Sequence, residues 1–165
     1  MFFRLLVTFL FACSVFCYPL PVHAKSIACD GKQLVGADLS GQDLQEVKIT
    51  YCNLDQANLA GAKLMKASIQ HTTLNNANLH GADLTNSDTY NISLNHADLT
   101  DAIFTGSLLQ RVSFDGANIT GADFSSTLIQ PVRERLTLCD AASGVNPTTG
   151  VVTRESLGCW SGVNF

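Results

Sequence analysis

The chain has 165 residues, 46% of them hydrophobic and 15% charged, with a formal net charge of −4 at pH 7. Ten basic residues against fourteen acidic ones give none of the basic surplus typical of nucleic-acid-binding proteins, so nucleic acid is excluded as an expected direct ligand. The length fits a single domain.

Residues 1–24 predict an export signal. Arg4 precedes an apolar run at residues 5–16, and the segment ends in Val22-His23-Ala24, which places small side chains at the cleavage subsites. Because the run is shorter than the roughly 20 residues of a membrane span, we expect cleavage rather than anchoring, and no membrane attachment afterwards. Removal of this segment takes only Arg4 from the charge count, which leaves nine basic and fourteen acidic residues.

A repeat of period five fills the middle of the chain. From Leu34 to Ile129 every fifth residue is Leu, Ile or Phe except Thr89, and the residue two before each slot is usually small. This period suits neither a 3.6-residue helix nor a two-residue strand alternation. If each pentad forms one side of a square turn, four pentads close a coil of twenty residues around an apolar axis, and the block holds about five coils.

Residues twenty apart then lie above one another, which predicts four buried columns. The columns are Leu34, Leu54, Leu74, Leu94 and Phe114; Leu39, Leu59, Leu79, Leu99 and Ile119; Leu44, Leu64, Leu84, Phe104 and Phe124; and Ile49, Ile69, Thr89, Leu109 and Ile129. The Thr89 hydroxyl must find a backbone acceptor in this axis, while Ile92 fills the missing volume. Such a core needs no cofactor.

The repeat units closely resemble the pentapeptide-repeat family, as in residues 57–61, 82–86 and 97–101. The resemblance implies an all-β solenoid, a right-handed quadrilateral β-helix with four pentads in each coil. We place this β-helix at residues 34–131, with an N-terminal cap at 25–33. Because the ends of a solenoid need caps, residues 132–165 are expected to form a short helical C-terminal cap.

The segment after the repeat carries a second resemblance. Residues 139–150 follow the pattern Cys-x-x-Ala-Ser-Gly-x-Asn-Pro-x-Thr-Gly and lead to Ser-Leu-Gly-Cys at 156–159. This tail resembles the end of small exported pentapeptide proteins of cyanobacteria and the chloroplast thylakoid lumen, which implies the thylakoid lumen or a periplasm as destination. Pro131 is placed to open a helix over residues 132–142, and residues 146–150 have turn chemistry.

Four cysteines remain after export, an even number in a compartment that permits disulfides. A bond between Cys139 and Cys159 would fasten the tail and stabilise it by about 3 kcal/mol in the chain-entropy model. Metal ligation is the competing interpretation, although neither residue has a His or Cys at ligand spacing. Cys52 occupies a small inward slot and is expected to be a buried free thiol, with a bridge to Cys29 as the alternative.

Three pentads carry an apolar residue where the repeat normally has an outward Asp or Asn, and these define the predicted patch: Ile103, Leu108 and Leu128. Leu108 and Leu128 share a column, and Ile103 is one side away. The simplest assignment is that the tail lies over this patch. The alternative is a surface for a partner protein or a second copy, so the chain is expected to be a monomer or a homodimer.

The remaining polar features give no catalytic or metal site. His71, His80 and His96 fall on different coils and columns and are expected to be solvated. The outward column of Asp38, Asn58, Asn78, Asp98 and Asn118 is implied by the family resemblance to hydrogen-bond the turns; a straight row of this kind is a poor calcium site.

The sequence therefore predicts an exported, non-catalytic scaffold or protein-interaction module with an unidentified protein partner. A first alternative is a thiol-redox-responsive lumenal protein switched through Cys139 and Cys159. A remote alternative is a DNA mimic that binds gyrase, as some cytosolic members of the resembled family do. Against this alternative, lysines and an arginine interrupt the acidic rows that a duplex mimic needs: Lys48, Lys63, Lys66 and Arg111.

Overall fold

The computed structural model describes residues 26–29 and 33–159, and in this part of the chain the repeat forms a parallel β-solenoid. The predicted signal peptide at residues 1–24 lies outside the described residues. The predicted N-terminal cap at 25–33 is described only in part, and residues 160–165 are not described.

Six short strands stack in chain order into one parallel sheet. They are β1 (Ser26–Ala28), β2 (Lys48–Thr50), β3 (Ser68–Gln70), β4 (Asp88–Ser93), β5 (Leu108–Ser113) and β6 (Leu128–Gln130). From β2 onward each strand pairs with residues twenty further along, as Ile49 does with Ile69. The interval between β1 and β2 is longer, because Ser26 pairs with Lys48.

Isolated bridges repeat the same twenty-residue interval on the other sides of the coil. Three ladders of such bridges begin at Gln33, Asp38 and Asp43, and the first reaches Ser113 four turns later. Together with the strand sheet they make four ladders at intervals of five residues. Each turn is therefore four-sided, as the pentad period predicts.

The axis of the coil is a dry core. All of the apolar residues in the four predicted columns are buried except Leu34, which is half-buried. Leu59, Leu79 and Leu99 have exposed fractions of 1% or less, and burial of one such side chain contributes about 2 kcal/mol. The Phe104 and Phe124 rings stack with centroids 5.0 Å apart.

The one polar residue of the predicted columns is accommodated as expected. Thr89 is fully buried, and its hydroxyl donates to the backbone carbonyl of Leu108 at 3.3 Å. Ile92 is buried beside the axis as well. The prediction that this hydroxyl finds a backbone acceptor is confirmed.

The outward Asp and Asn column stabilises the turns, as the family resemblance implied. The side-chain oxygens of Asn58, Asn78 and Asp98 each accept from the backbone N–H two residues later, at 3.0 to 3.2 Å. Successive turns are also joined, since Asn58 Nδ2 donates to Asp38 Oδ1 at 3.1 Å. Short polar side chains that bond nearby backbone are typical of turns.

Beyond β6 the chain leaves the coil through helix α1 (Val132–Ala141), which Pro131 precedes as its N-cap. This agrees with the helix predicted over residues 132–142. A second short helix, α2 (Thr153–Ser156), was not predicted. Cys139 in α1 is joined to Cys159 by a disulfide. Neither of these described helices has the length and apolar character required to span a membrane.

The tail occupies the hydrogen-bonding positions that a further turn would take. Within the repeat, Gly61 N–H donates to the carbonyl of His80, nineteen residues on. At the last turn, Gly121 N–H donates instead to the carbonyl of Ser143 at 2.8 Å. Phe124 N–H donates to Ser156 Oγ at 3.0 Å. The tail therefore caps the open end of the solenoid.

The expected free thiol at Cys52 is wrong, because Cys52 forms a disulfide with Cys29. The Cα atoms of the pair are 4.9 Å apart, and both residues are buried. The physical reason lies in the pairing of β1 with β2, which places Ala28 beside Thr50 and so brings the residues after each strand together.

Candidate interaction surfaces

The three residues of the predicted patch lie on the last turns of the coil. Leu108 and Leu128 are direct partners in β5 and β6, while Ile103 lies on the adjacent side, paired with Asp123. Ile103 and Leu108 are half-buried, but Leu128 is 52% exposed. The prediction that the tail lies over this patch is therefore wrong at Leu128, because the tail bonds to the end of the last turn instead.

Helix α1 adds two exposed apolar residues close in the chain to Leu128. Val132 is 58% exposed and Leu136 is 59% exposed, and their spacing of four residues puts them on one face of the helix. Only Leu138 of this helix is buried. We call Leu108, Leu128, Val132 and Leu136 the apolar patch. The sequence had assigned Val132 and Leu136 to the covering cap, whereas they are themselves uncovered by described residues.

Asn146 is the anchor of the tail. It is fully buried, and its Nδ2 donates to the carbonyls of Asp101 at 3.0 Å and Gly121 at 2.9 Å. Its Oδ1 accepts from the backbone N–H groups of Thr148 and Thr149. One amide thus satisfies backbone groups of both the coil and the tail. The turn pattern had marked this residue without showing these partners.

Asp123 lies beside the anchor and is also buried. Burial alone would raise the pKa of its carboxyl, but hydrogen bonds from Ser125, Thr149 and Thr105 outweigh that effect and hold the pKa below its ordinary value. The Thr105 hydroxyl is 3.2 Å from Oδ2, and the Ser125 N–H is 2.8 Å from Oδ1. The carboxylate therefore stays ionised in a structural role.

One corner of the coil carries large side chains in a row twenty residues apart. We call Tyr51, His71, Asn91 and Arg111 the aromatic corner; all four are exposed and have φ between 51° and 55°. A non-glycine residue in this left-handed conformation costs about 1 kcal/mol. By contrast, Gly41, Gly61 and Gly81 occupy another corner at φ of 63°, with open space where a Cβ would stand.

The side chains of the aromatic corner contact one another along the solenoid. The Tyr51 and His71 rings are stacked, with centroids 4.9 Å apart and 3° between their planes. Asn91 Nδ2 lies 3.1 Å from His71 Nδ1, and the Tyr90 ring meets His71 edge-on at 5.4 Å. The Arg111 guanidinium carbon lies 5.6 Å from the centre of the Tyr90 ring. The result is a continuous ridge of aromatic, amide and guanidinium groups.

Two open grooves adjoin this ridge and share Arg111. The larger, of about 970 Å³, runs from Tyr90 to the start of α1, where Gln130 and Arg133 line it. The smaller, of about 370 Å³, lies beside His71 and Asn91. Sequence reasoning had placed only His71 here, as a solvated residue. The twenty-residue spacing of the four side chains was the signal that could have revealed the ridge.

The described residues provide no constellation for metal binding, since no group of three His, Cys, Asp or Glu side chains converges among them. The three histidines of the repeat stay on separate columns. His71 contacts two tyrosines and Asn91.

Comparison with known proteins identifies the family of the repeat. The profile described as Pentapeptide repeats matches residues 33–61, 52–88 and 92–128, with eight copies of the repeat. These segments cover more than half of the chain. A comparison with curated proteins finds none that matches it.

Solved structures give further likenesses. The chain is 33% identical to a pentapeptide repeat protein from the thylakoid lumen of Arabidopsis thaliana, over 73% of this chain and 90% of that one, with a TM-score of 0.37. It is 26% identical to a pentapeptide repeat protein of the cyanobacterium Cyanothece 51142, over 56% and 64% of the two chains, with a TM-score of 0.47. A Nostoc sp. pentapeptide repeat protein involved in heterocyst differentiation regulation is 24% identical over 64% and 56%, with a TM-score of 0.31. The match spans less than two thirds of the Cyanothece and Nostoc chains.

Proposed function

Because this chain belongs to the pentapeptide-repeat family, we propose that it is an exported, non-catalytic scaffold that binds another protein through the apolar patch. The observation that carries the proposal is the exposure of three large apolar side chains within nine residues: 52% for Leu128, 58% for Val132 and 59% for Leu136. Exposed apolar residues grouped within one short segment mark a protein-interaction surface more often than single exposed apolar residues do. The half-buried Leu108 extends it along the coil.

The test is crosslinking with mass spectrometry in the native compartment, combined with the molecular mass of the purified protein in dilute solution. We expect a specific crosslinked partner, or a homodimer, that Leu128→Asp removes. The matched control is Val35→Asp, which places the same charge on an exposed apolar residue at the other end of the coil. A monomer whose crosslinks are unchanged by Leu128→Asp would contradict the proposal.

We propose export through cleavage after residue 24, to a thylakoid lumen or a periplasm. Besides the apolar run at 5–16, the two disulfides among the described residues support this destination, since such bonds persist mainly in oxidising compartments. The measurement is the N-terminal residue of the protein recovered from fractionated cells. A recovered chain that retains Met1 in a reducing compartment would overturn this part of the proposal.

The absence of catalysis is part of the same proposal and has its own test. Among the described residues, the His71 ring has no acid and nucleophile beside it of the kind a hydrolase needs. A broad hydrolase screen of the purified protein should show no turnover above that of a variant with His71, His80 and His96 all replaced by Ala. Turnover lost in that variant would identify an enzyme.

A second candidate function is a thiol-redox response through Cys139 and Cys159. The specific observation is exposure: both of these residues are only half-buried, whereas Cys29 and Cys52 are 3% and 4% exposed. Reduction would release α1 from the tail. The reduction potential of the pair decides between a switch and a staple, since a switch lies near the poise of its compartment and a staple far below it.

A further inference from the structure

The aromatic corner is not explained by the needs of the backbone. Glycine serves the same left-handed turn at Gly61 and Gly81, yet the chain uses Tyr51, His71 and Arg111 at nearly the same φ. The stacking of Tyr51 on His71 and the hydrogen bond between His71 and Asn91 offset part of the strain of the left-handed backbone. Neither contact explains why an arginine occupies position 111.

Arg111 is an exposed cation with unused hydrogen-bonding capacity. Its guanidinium lies against the Tyr90 ring, and no described residue accepts a hydrogen bond from it or forms an ion pair with it. The side-chain amides of Gln110 and Gln130, which line the same groove, likewise have no hydrogen bond to another described residue. These groups can all bind an acceptor that approaches from solvent.

The described residues of the corner column and of the two columns beside it include no acidic residue, although the chain has fourteen. Glu134 lines the larger groove, where it forms an ion pair with Arg133 at 3.3 Å and none with Arg111. The column before the corner in each turn runs Thr50, Gln70, Tyr90, Gln110 and Gln130, and the column after it runs Asn53, Thr73, Ser93 and Ser113. The result is a stripe of amides, hydroxyls and aromatic rings along the coil, with one unpaired arginine.

We propose that this stripe binds an extended carbohydrate chain that carries carboxylates, a polyuronate. Amide groups donate and accept together, as the neighbouring hydroxyls of a sugar require, and the guanidinium fork of Arg111 matches a carboxylate. The stripe adjoins the apolar patch at Val132, which lines the same groove, but binding of this ligand does not require a protein partner.

Spacing distinguishes this ligand from other polymers. Successive turns repeat every ~4.8 Å, close to the length of one sugar residue in an extended chain, whereas an extended peptide presents side chains of one face every ~6.7 Å. Nucleic acid binding depends on many phosphate contacts from Lys and Arg. The corner column and the two columns beside it contain one such residue, Arg111.

The experiment measures equilibrium binding of the purified protein to oligogalacturonate, to a neutral cello-oligosaccharide of equal length, and to poly-glutamate. The test variants are Arg111→Gly and Tyr51→Gly, since glycine keeps the left-handed backbone while removing the side chain. Lys66→Gly is the matched control, because it removes a cation from an exposed left-handed position at a different corner.

We expect oligogalacturonate to bind best, Arg111→Gly to weaken it about tenfold or more, and Lys66→Gly to leave it unchanged. Tyr51→Gly should weaken it less, because its loss removes only one end of the ridge. Circular dichroism verifies the fold, and Arg111→Asn replaces Arg111→Gly if the latter fails to fold. No binding of oligogalacturonate, equal binding by the Arg111 variants, or equally tight binding of poly-glutamate would each overturn the proposal.

Discussion

The repeat block and the C-terminal tail stabilise the same molecule in different ways. In the repeat, each turn makes the contacts of the turn before it, so that Leu59, Leu79 and Leu99 have the same place and the same burial. In the tail, individual residues make contacts that occur once. The Asn146 side chain alone donates to the carbonyls of both Asp101 and Gly121.

The comparison shows where the fold is redundant and where it depends on single residues. A solenoid adds free energy turn by turn, and loss within one turn leaves its neighbours in place. Its end has no next turn, and its N–H groups must be satisfied by something irregular. Here Ser143 and Ser156 supply the acceptors. We therefore expect single substitutions in the tail to have effects as large as those in the core.

The largest effect is expected for Asn146→Asp, which breaks the tail without changing its volume. The carboxylate loses both donors and places negative oxygen against the carbonyls of Asp101 and Gly121, now 3.0 and 2.9 Å from Nδ2. We expect a loss of about 4 kcal/mol in the free energy of unfolding, measured by denaturant titration at neutral pH. The exposed Asn76→Asp is the matched control and should change stability by less than about 0.5 kcal/mol.

The redundancy of the repeat is tested by Leu79→Ala and Leu99→Ala. Each removes a fully buried side chain from the axis and should cost about 3 kcal/mol, since the cavity collapses only in part. Because the two positions are equivalent in neighbouring turns, the two costs should agree within about 1 kcal/mol. If only one of the two variants lost stability, neighbouring turns would differ in energy although their geometry is the same.

The structure of the repeat could be predicted because the same short pattern of apolar and small residues recurs every five residues. The position of Thr89 in the axis and the helix after Pro131 follow from spacing and from single-residue preferences. The same spacing would have placed Tyr51, His71 and Arg111 in one column. Their mutual contacts, however, depend on rotamers that a period does not specify.

Features outside the period were predicted less well. Cys29 pairs with Cys52 because the first interval, from Ser26 to Lys48, is longer than twenty residues, and no count from Leu34 reveals that. The contacts that Ser143, Asn146 and Ser156 make with the coil are to backbone atoms, which carry no sequence signal. Leu128 is exposed because the tail lies over the end of the last turn, so the prediction that the tail covers Leu128 was wrong.

Two glycine substitutions test the same difference between the tail and the repeat, with smaller expected losses of stability. Gly144→Ala should cost about 2 kcal/mol, because φ is 85° and a Cβ would stand 2.8 Å from the backbone nitrogen of Gly121. Gly61→Ala has the same kind of φ but open space around the Cβ, so it should cost about 1 kcal/mol. Thermal unfolding of both variants under one set of conditions measures the difference. Equal costs would show that the tail moves to relieve the clash.

The smallest effect concerns pH and the carboxylate of Asp123. Its pKa is lowered in the folded protein, so it stabilises the fold when ionised, and this contribution is lost as the pH falls below about 4 and through the folded pKa. Asp123→Asn should therefore lower stability at neutral pH and flatten its decline in acid. The amide keeps an acceptor for the Ser125 N–H, and the Thr105 hydroxyl can turn to accept from it. Asp88→Asn, at an exposed carboxylate of the repeat, is the control. If both variants showed the same acid profile, the carboxylate under the tail would contribute no more than one on the open surface, and the contrast between tail and repeat would not extend to charge.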